Sequence, residues 1–399
     1  MKKKILSLLL TFVILFTFIP FSYAANFTYE NKIESMLVAE AKTGKILFKK
    51  NIDKPMPIAS MSKIMTLLVI KDAIKEGKIK INDIVTVTED AAKYNMPGYS
   101  SFDLVKGEKV SVENLLKASM IVSGNDATAA LAIHLSGSED KFTKLMNDKS
   151  KELGLKNSSF INPTGITIEK DKKKLLNKMS AEDLLKLTKY IYEKYPEIEE
   201  YGKTGVLDVP ERKYSRKSTL PLRDKQSGLL GLKTGYTEEA GYCFTGIFDL
   251  SKNEKKLNTK IFTIVMGADT EEMRAVTTDE LIDFTLNNFY LSDEINKEKS
   301  IVDIYVSNSV NKYISAYPQE NFDKLVHVGT VIDAQYTLKE NIFAPIDDGQ
   351  IIGEMMLFED GKEIKKINLI NKGYKTRESF ISNIINTLKT FFDDLMQFT

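Results

Sequence analysis

The distribution of apolar and polar positions divides the chain into four stretches. Lys2, Lys3 and Lys4 precede a mostly apolar run from Ile5 to Phe21 that ends at Ser22-Tyr23-Ala24. A basic start, an apolar middle and small residues at alternate positions predict a secretory signal peptide over residues 1–24. The alternative is a retained membrane helix, for which the run is about long enough. Past this segment, Ser35-Met-Leu-Val-Ala-Glu40 and Lys45-Ile-Leu-Phe-Lys49 predict two short strands joined by a turn at Ala41-Lys-Thr-Gly44. From Pro57 a helical pattern places Ile64, Leu67, Leu68 and Ala73 on one face. Further helices are expected around 112–135, 139–152, 180–194 and 271–289, and strands at 229–234, 241–249 and 259–267. Strands at both ends with helices between predict an α+β domain over 25–291 whose sheet joins the two ends of the segment.

The pattern changes near residue 292. Short alternating segments such as Ile301-Val-Asp-Ile-Tyr-Val306 are separated by turns such as Asp347-Asp-Gly349 and Glu359-Asp-Gly361. They predict a small β-rich domain over 298–374. In 375–399, Phe380, Ile381, Ile384, Ile385, Leu388, Phe391, Phe392, Leu395 and Met396 recur at helical spacing opposite polar Ser382, Asn383, Asn386, Lys389 and Asp393. Such an amphipathic helix suits the plane of a membrane surface better than a crossing of it; ordinary packing on the protein is the alternative.

Composition narrows the chemistry. A 399-residue chain with 43% hydrophobic residues has room for two or three domains, each with its own core. Fifty-six Lys+Arg against 55 Asp+Glu give no electrostatic footprint for nucleic acid. The single cysteine, Cys243, excludes an intrachain disulfide and cysteine-based metal sites. With only His134 and His327, imidazole catalysis and His-rich metal sites are disfavoured. Both histidines are expected to be structural, and Cys243 a buried thiol. No cofactor or metal is called for.

A reactive site must then rest on other groups. Ser60 and Lys63 stand three apart at the start of a predicted helix, on one face and within mutual reach. A serine hydroxyl needs a base, and lysine serves only when uncharged; a helix N-terminus and a second cation both lower its pKa. The same spacing recurs at Ser138–Lys141 and Ser309–Lys312, where surface roles are expected. Ser123-Gly-Asn125 ends an apolar segment and can turn a hydroxyl and an amide into a cleft; its competing role is the N-cap of the helix running to Leu135. Lys-Thr-Gly occurs at 42–44, 203–205 and 233–235. The third copy lies within Gly228-Leu-Leu-Gly-Leu-Lys-Thr-Gly-Tyr236, a strand on which Lys233 and Thr234 supply a cation and a hydroxyl. Gly235 there is expected to leave room for a substrate along the edge.

In this order the three motifs are the signature of β-lactamases and penicillin-binding proteins. With Asn162-Pro-Thr-Gly165, Val265-Met-Gly-Ala-Asp269 and Ala344-Pro-Ile-Asp-Asp-Gly349, nearly the whole chain resembles the low-molecular-mass penicillin-binding proteins, specifically the D-alanyl-D-alanine carboxypeptidases. The resemblance implies a penicillin-recognising serine transpeptidase/β-lactamase-like catalytic domain, an antiparallel sheet plus a helical region, followed by the β-rich domain and the amphipathic helix. It implies that Ser60 is acylated, that Lys63 is its base and that Ser123 passes a proton to the leaving amine. Asn125 would hold the substrate amide, Lys233 would keep the site electropositive and Thr234 would bind the terminal carboxylate, with Arg274 assisting. The backbone N–H groups of Ser60 and Tyr236 would flank the oxyanion. Partners implied are peptidoglycan stem peptides, β-lactam antibiotics and, through the terminal helix, the outer face of the cytoplasmic membrane. Two departures stand out: Tyr236 and Thr164 occupy positions where many relatives have histidine.

Three competing readings are weaker. A class A β-lactamase needs a Glu-x-x-Leu-Asn loop, and the comparable Lys173-Lys-Leu-Leu176-Asn177 has lysine in place of the glutamate. A non-catalytic penicillin sensor would not need every polar residue retained. A Ser-His-Asp hydrolase lacks its Gly-x-Ser-x-Gly elbow.

Overall fold

A computed structural model describes residues 27–220, 228–292, 295–309 and 312–376, together with 379, 384, 385 and 388. The leader at 1–24 and most of the terminal segment at 375–399 lie outside the described residues. The chain divides into two compact units, one of residues 1–248 and 261–284, the other of 249–260 and 285–399.

In the first unit the elements run β1 (Ser35–Glu40), β2 (Ile46–Lys50), α1 (Lys63–Lys75), α2 (Val112–Ile121), α3 (Asn125–Ser136), α4 (Glu139–Glu152), α5 (Ala181–Lys194), β3 (Leu229–Thr237), β4 (Gly241–Asp249), β5 (Lys260–Ala268) and α6 (Glu271–Asn288). The sheet order is β3-β4-β5-β1-β2, with β1 antiparallel to both β2 and β5, and β3 antiparallel to β4. Register aligns Leu37 with Ile264 and Ala39 with Phe262, so both strands send these side chains into the main core. The early and late strands therefore share one sheet, and the helices inserted between them cover it. This order leaves β3 at an edge, which gives it a free side for another strand.

Every residue of α1 from Lys63 to Ile70, and of α3 from Asn125 to Ala132, is buried. Helices enclosed on all sides lie at the centre of a domain. The sequence pattern predicts one helix over 112–135; the structure has two. Ser123 adopts a left-handed φ of 61°, Gly124 follows, and the hydrogen-bond ladder stops. The chain restarts as α3 when the Asn125 N–H donates to the Ser100 carbonyl at 2.9 Å. Gly124, not Ser123, is the N-cap, and it contributes no side-chain bond.

Three helices are pinned by one carboxylate. Asp72 of α1 accepts hydrogen bonds from Lys194 Nζ (2.8 Å) and Tyr195 OH (2.6 Å) beside α5, and pairs with Lys149 of α4 at 2.9 Å. Burial pushes its pKa up, but Lys194, Tyr195 and Lys149 hold it below the ordinary aspartate value.

The second unit adds β6 (Val302–Tyr305), β7 (Tyr313–Pro318), β8 (Ile332–Leu338), β9 (Ile351–Glu359) and β10 (Lys362–Asn371), in the order β6-β7-β10-β9-β8. Val306, Ile314, Ile352, Leu357, Ile367 and Leu369 form its core. The Glu359-Asp-Gly361 signal closes a two-residue hairpin, with Asp360 and Gly361 both at positive φ and Glu359 opposite Lys362. Among the described residues no helix is long and apolar enough to cross a membrane.

Asp72→Asn should lower unfolding stability by about 2–4 kcal/mol, because it removes the counter-charge of partly buried Lys194 and one of the two carboxylates paired with Lys149. The loss should shrink as pH falls through the carboxylate range, since wild-type Asp72 then takes up its proton. Denaturant melts at two pH values check both the size and the sign.

Candidate active site

Ser60 sits in a single 3-10 turn, Ala59–Ser62, directly before α1. The preceding Ala59 holds a left-handed φ of 45°, a conformation that costs a non-glycine residue energy and persists only where its surroundings enforce it. The Ser62 hydroxyl donates to the Ala59 carbonyl at 2.7 Å and fixes the turn from inside. On the other side Gly165, at φ 87°, lies so close that a β-carbon there would stand 1.9 Å from the Ala59 carbonyl oxygen. Only glycine fits.

Lys63 follows one turn later and is fully buried. Its Nζ lies 2.9 Å from Ser60 Oγ, 2.7 Å from Asn125 Oδ1 and 2.7 Å from the Thr164 carbonyl. Burial and then the Lys233 cation push its pKa well below 10.5, while Asp126 pulls the other way. Lys233 is also fully buried; burial, then Arg274, bring it down to about 7. Two lysines that repel one another in a dry interior cannot both hold protons cheaply.

Ser60, Ser123, Asn125, Thr234, Gly235, Tyr236 and Arg274 line one cleft of about 890 Å³, with Lys63 and Lys233 buried. All nine residues singled out in the sequence thus come together at one site. Among the described residues Ser123 Oγ has no hydrogen-bond partner and faces the cleft. Arg274 is only 3% exposed; its Nη2 donates to Glu271 at 2.6 Å, while its buried Nε has no partner among the described residues. Tyr236 is 53% exposed and stacks on Tyr242, ring centroids 4.3 Å apart.

Gly235 has a different reason from the one expected. A β-carbon there would meet the Ile58 carbonyl at 2.7 Å and the Met61 backbone nitrogen at 3.3 Å, which belong to the serine turn and its flank. The glycine lets β3 close on the turn that carries Ser60; it is the protein, not the substrate, that needs the space.

Several contributors gave no sequence signal by themselves. Thr164 serves Lys63 through its backbone carbonyl, so the histidine-to-threonine departure does not touch this bond. Asn162 Oδ1 accepts the Thr164 and Gly165 N–H groups. Asn177 Oδ1 accepts the Ile161 N–H, and its Nδ2 donates to Ser62 Oγ and the Asn162 carbonyl. These two asparagines fix the loop on which the Lys63 acceptor depends. Asp126 accepts the Phe102 and Leu104 N–H groups and so ties the 97–104 rim of the cleft to α3. Arg212 caps that rim, its guanidinium 3.9 Å above the Phe102 ring. Asn162 and Thr164 stood out in the sequence only as part of the Asn162-Pro-Thr-Gly165 stretch that carries the resemblance.

The other copies of the motifs lie elsewhere. Ser138 caps α4 by accepting the Lys141 N–H, and Gly44 turns the β1–β2 hairpin at φ 77°. Lys203 ends a short helix, Glu199–Lys203, paired with Glu199 at 2.7 Å. His134 is exposed near the end of α3, and His327 packs against Phe289 in the second unit; neither lines the cleft. Cys243 is buried in β4 opposite Gly235, its thiol pushed up to about 11 by burial.

Comparison with known proteins agrees with this arrangement. Residues 23–270 match the family described as D-alanyl-D-alanine carboxypeptidase, and residues 290–374 match the penicillin-binding protein 5 C-terminal domain. The chain is 34% identical to D-alanyl-D-alanine carboxypeptidase DacF of Bacillus subtilis, over 97% of this chain and 98% of that protein. Among solved structures, penicillin-binding protein 5 of Haemophilus influenzae is 28% identical with a TM-score of 0.62, covering 87% of this chain and 98% of that one. Penicillin-binding protein D2 of Listeria monocytogenes in a cefotaxime-bound form is 28% identical with a TM-score of 0.55, covering 63% and 96%. The match over residues 23–270 and the identity to the Bacillus subtilis protein along nearly its whole length show that this chain belongs to the D-alanyl-D-alanine carboxypeptidase family.

Proposed function

We propose that this chain releases the terminal D-alanine from peptidoglycan stem peptides ending in D-Ala-D-Ala, through an acyl-Ser60 intermediate. The hydrogen-bond set of Lys63 carries the reading. An uncharged amine has two N–H donors and one lone pair. Asn125 Oδ1 and the Thr164 carbonyl can only accept, so they take the two donors. The lone pair is left facing the one partner that can donate, the Ser60 hydroxyl at 2.9 Å. That is the geometry of a general base on its nucleophile.

Ser60 Oγ bonds to the carbonyl carbon of the penultimate D-alanine while its proton passes to Lys63. The carbonyl electron pair becomes an oxyanion between the N–H groups of Ser60 and Tyr236, a pair of donors worth a few kcal/mol of barrier. Collapse breaks the C–N bond, and the proton reaches the leaving nitrogen through Ser123, whose hydroxyl has no competing partner among the described residues. Thr234, with the charges of Lys233 and Arg274 behind it, holds the departing carboxylate, while Asn125 holds the substrate amide. Water then adds to the ester carbonyl, gives its proton to Lys63, and Ser60 leaves with a proton returned. A β-lactam offers the same carbonyl to Ser60. Lys173, at the position of the β-lactamase glutamate, is exposed on a hairpin, so the penicillin adduct lacks that base and persists.

The leader at 1–24 would carry the chain out of the cytoplasm, and the terminal segment would lie on the outer face of the cytoplasmic membrane. Ile384, Ile385 and Leu388 are all exposed, as a face reserved for lipid requires.

Ser60→Ala should abolish covalent labelling by a fluorescent penicillin without changing the melting temperature; label that persists places the nucleophile elsewhere. The acylation rate should fall on the acid side as Lys63 takes up a proton. Because the Lys233 charge helps keep Lys63 neutral, Lys233→Met should slow acylation about ten- to a hundredfold and move that acid limb to higher pH. A pH series of labelling rates reads the direction. In liposome flotation the full chain should rise with anionic vesicles and a chain ending at Lys375 should not.

A further inference from the structure

Four large aromatic side chains of the second unit stand outside its core: Tyr305, Tyr313, Phe343 and Tyr374 are 54% to 64% exposed. The topology gathers them at one end of the sheet. Tyr305 closes β6 directly opposite Tyr313, which opens β7, and the two rings meet edge to face at 5.8 Å. Two residues past Tyr305, the Ser307 N–H donates to the Ile342 carbonyl, and the Ser307 carbonyl accepts the Ala344 N–H; Phe343 lies between. Farther along the same segment, Ile346 and Lys375 exchange N–H···O bonds of 3.1 and 2.9 Å, which brings Tyr374 alongside. Ala316 stands opposite Asn371, so the start of β7 and the finish of β10 share this end.

The chain enters this unit at the opposite end. There the Asn288 carbonyl accepts the Val328 N–H, and the Val331 carbonyl accepts the Asp360 N–H at the β9–β10 turn. From that turn β10 runs from Lys362 to Asn371, about 30 Å. At its far end the chain leaves: Lys375 is held to Ile346, and the apolar repeat of the terminal segment starts five residues later, at Phe380. Five residues span at most about 18 Å. A terminal segment lying in a membrane surface therefore keeps the four rings close to lipid. Such a surface takes up exposed aromatics, a tyrosine setting its ring among the chain ends and its hydroxyl among the headgroups. Charge is near balance at this end, with Lys312, Lys372 and Lys375 against Glu298, Asp347 and Asp348, so the rings carry the attraction. A second copy of the chain would also cover them, but only lipid is brought to this end by the chain's own exit.

Resting on the membrane reading of the terminal segment above, we infer that Tyr305, Tyr313, Phe343 and Tyr374 form a second membrane contact, made by the β-rich unit itself. The segment supplies proximity and the rings supply orientation. One contact leaves the unit free to swivel; two stand it on its exit end. The rings are too few to hold a bilayer alone, and they act at the high local concentration of lipid that the segment provides.

The chain has no tryptophan, so Tyr305→Trp and Val331→Trp each give the full chain a single reporter, one at either end of the unit on a side chain already more than half exposed. With vesicles of phosphatidylglycerol and phosphatidylethanolamine, the emission of Tyr305→Trp should shift to the blue and be quenched by lipids brominated near the headgroup. That of Val331→Trp should do neither. A Tyr305→Trp chain that floats with the vesicles while its emission stays as in buffer overturns the proposal and leaves the reading of the terminal segment standing. A chain that does not float at all removes both. Blue shifts at both positions mean a unit lying flat, and these too overturn it. Tyr305→Ser, Tyr313→Ser and Phe343→Ser combined should weaken vesicle partitioning about tenfold, each ring adding a few-fold through partial burial. Partitioning equal to wild type, at an unchanged melting temperature, overturns the contact; if the triple variant melts early, the two single reporters decide.

Discussion

In the proposed mechanism, an amine that must stay uncharged in order to work is the constraint around which the first unit is built. Lys63 is a base only without its proton, and water would supply one; the remedy is complete burial beside a second lysine. Burial alone would leave an amine free to turn in any direction. Two carbonyl acceptors, one from α3 and one from the 162–165 loop, take its hydrogens and aim the lone pair at Ser60. Each half of that arrangement is useless without the other.

Much of the surrounding structure follows from this need. The helix that carries Lys63 has to be central, so α1 is buried from Lys63 to Ile70 and packs against α2, α3, α4 and α5. The Thr164 carbonyl has to stay put, so Asn162 and Asn177 spend their amides on the loop that bears it. The serine turn has to approach that loop and β3 closely, and glycines at 165 and 235 allow it on its two sides. None of this is favourable for stability in isolation. Both buried lysines bind protons less readily in the folded chain than in the unfolded one, so this pair makes the fold more stable as pH rises and less stable as it falls. The large apolar core and networks such as the one around Asp72 offset that cost.

How much of the site could be read from the residues depended on the range over which each part acts. Ser60 and Lys63 touch across three residues of one turn, and that proximity is set by local geometry. The third Lys-Thr-Gly stood out from its two copies because its flanks are apolar and glycine-rich, which describes a buried strand and not a turn. By contrast, Lys63 and Thr164 are 101 residues apart, and Ser62 and Asn177 are 115 apart. No periodicity links such pairs, and a backbone carbonyl has no letter in the sequence. The break between α2 and α3 was missed for a related reason: apolar spacing continues through it, and only the left-handed turn at Ser123 shows where the helix ends.

The order of the main elements, the closeness of Ser60 to Lys63, and the change to β-rich patterning near residue 292 were determined by sequence alone, because each rests on interactions within a turn or along one strand. The lowered pKa of Lys63, the close packing that requires Gly235, and the support from Asn162, Asn177 and Asp126 were decided by tertiary structure. Burial and electrostatics depend on what the rest of the chain brings alongside, and spacing along the chain does not encode that.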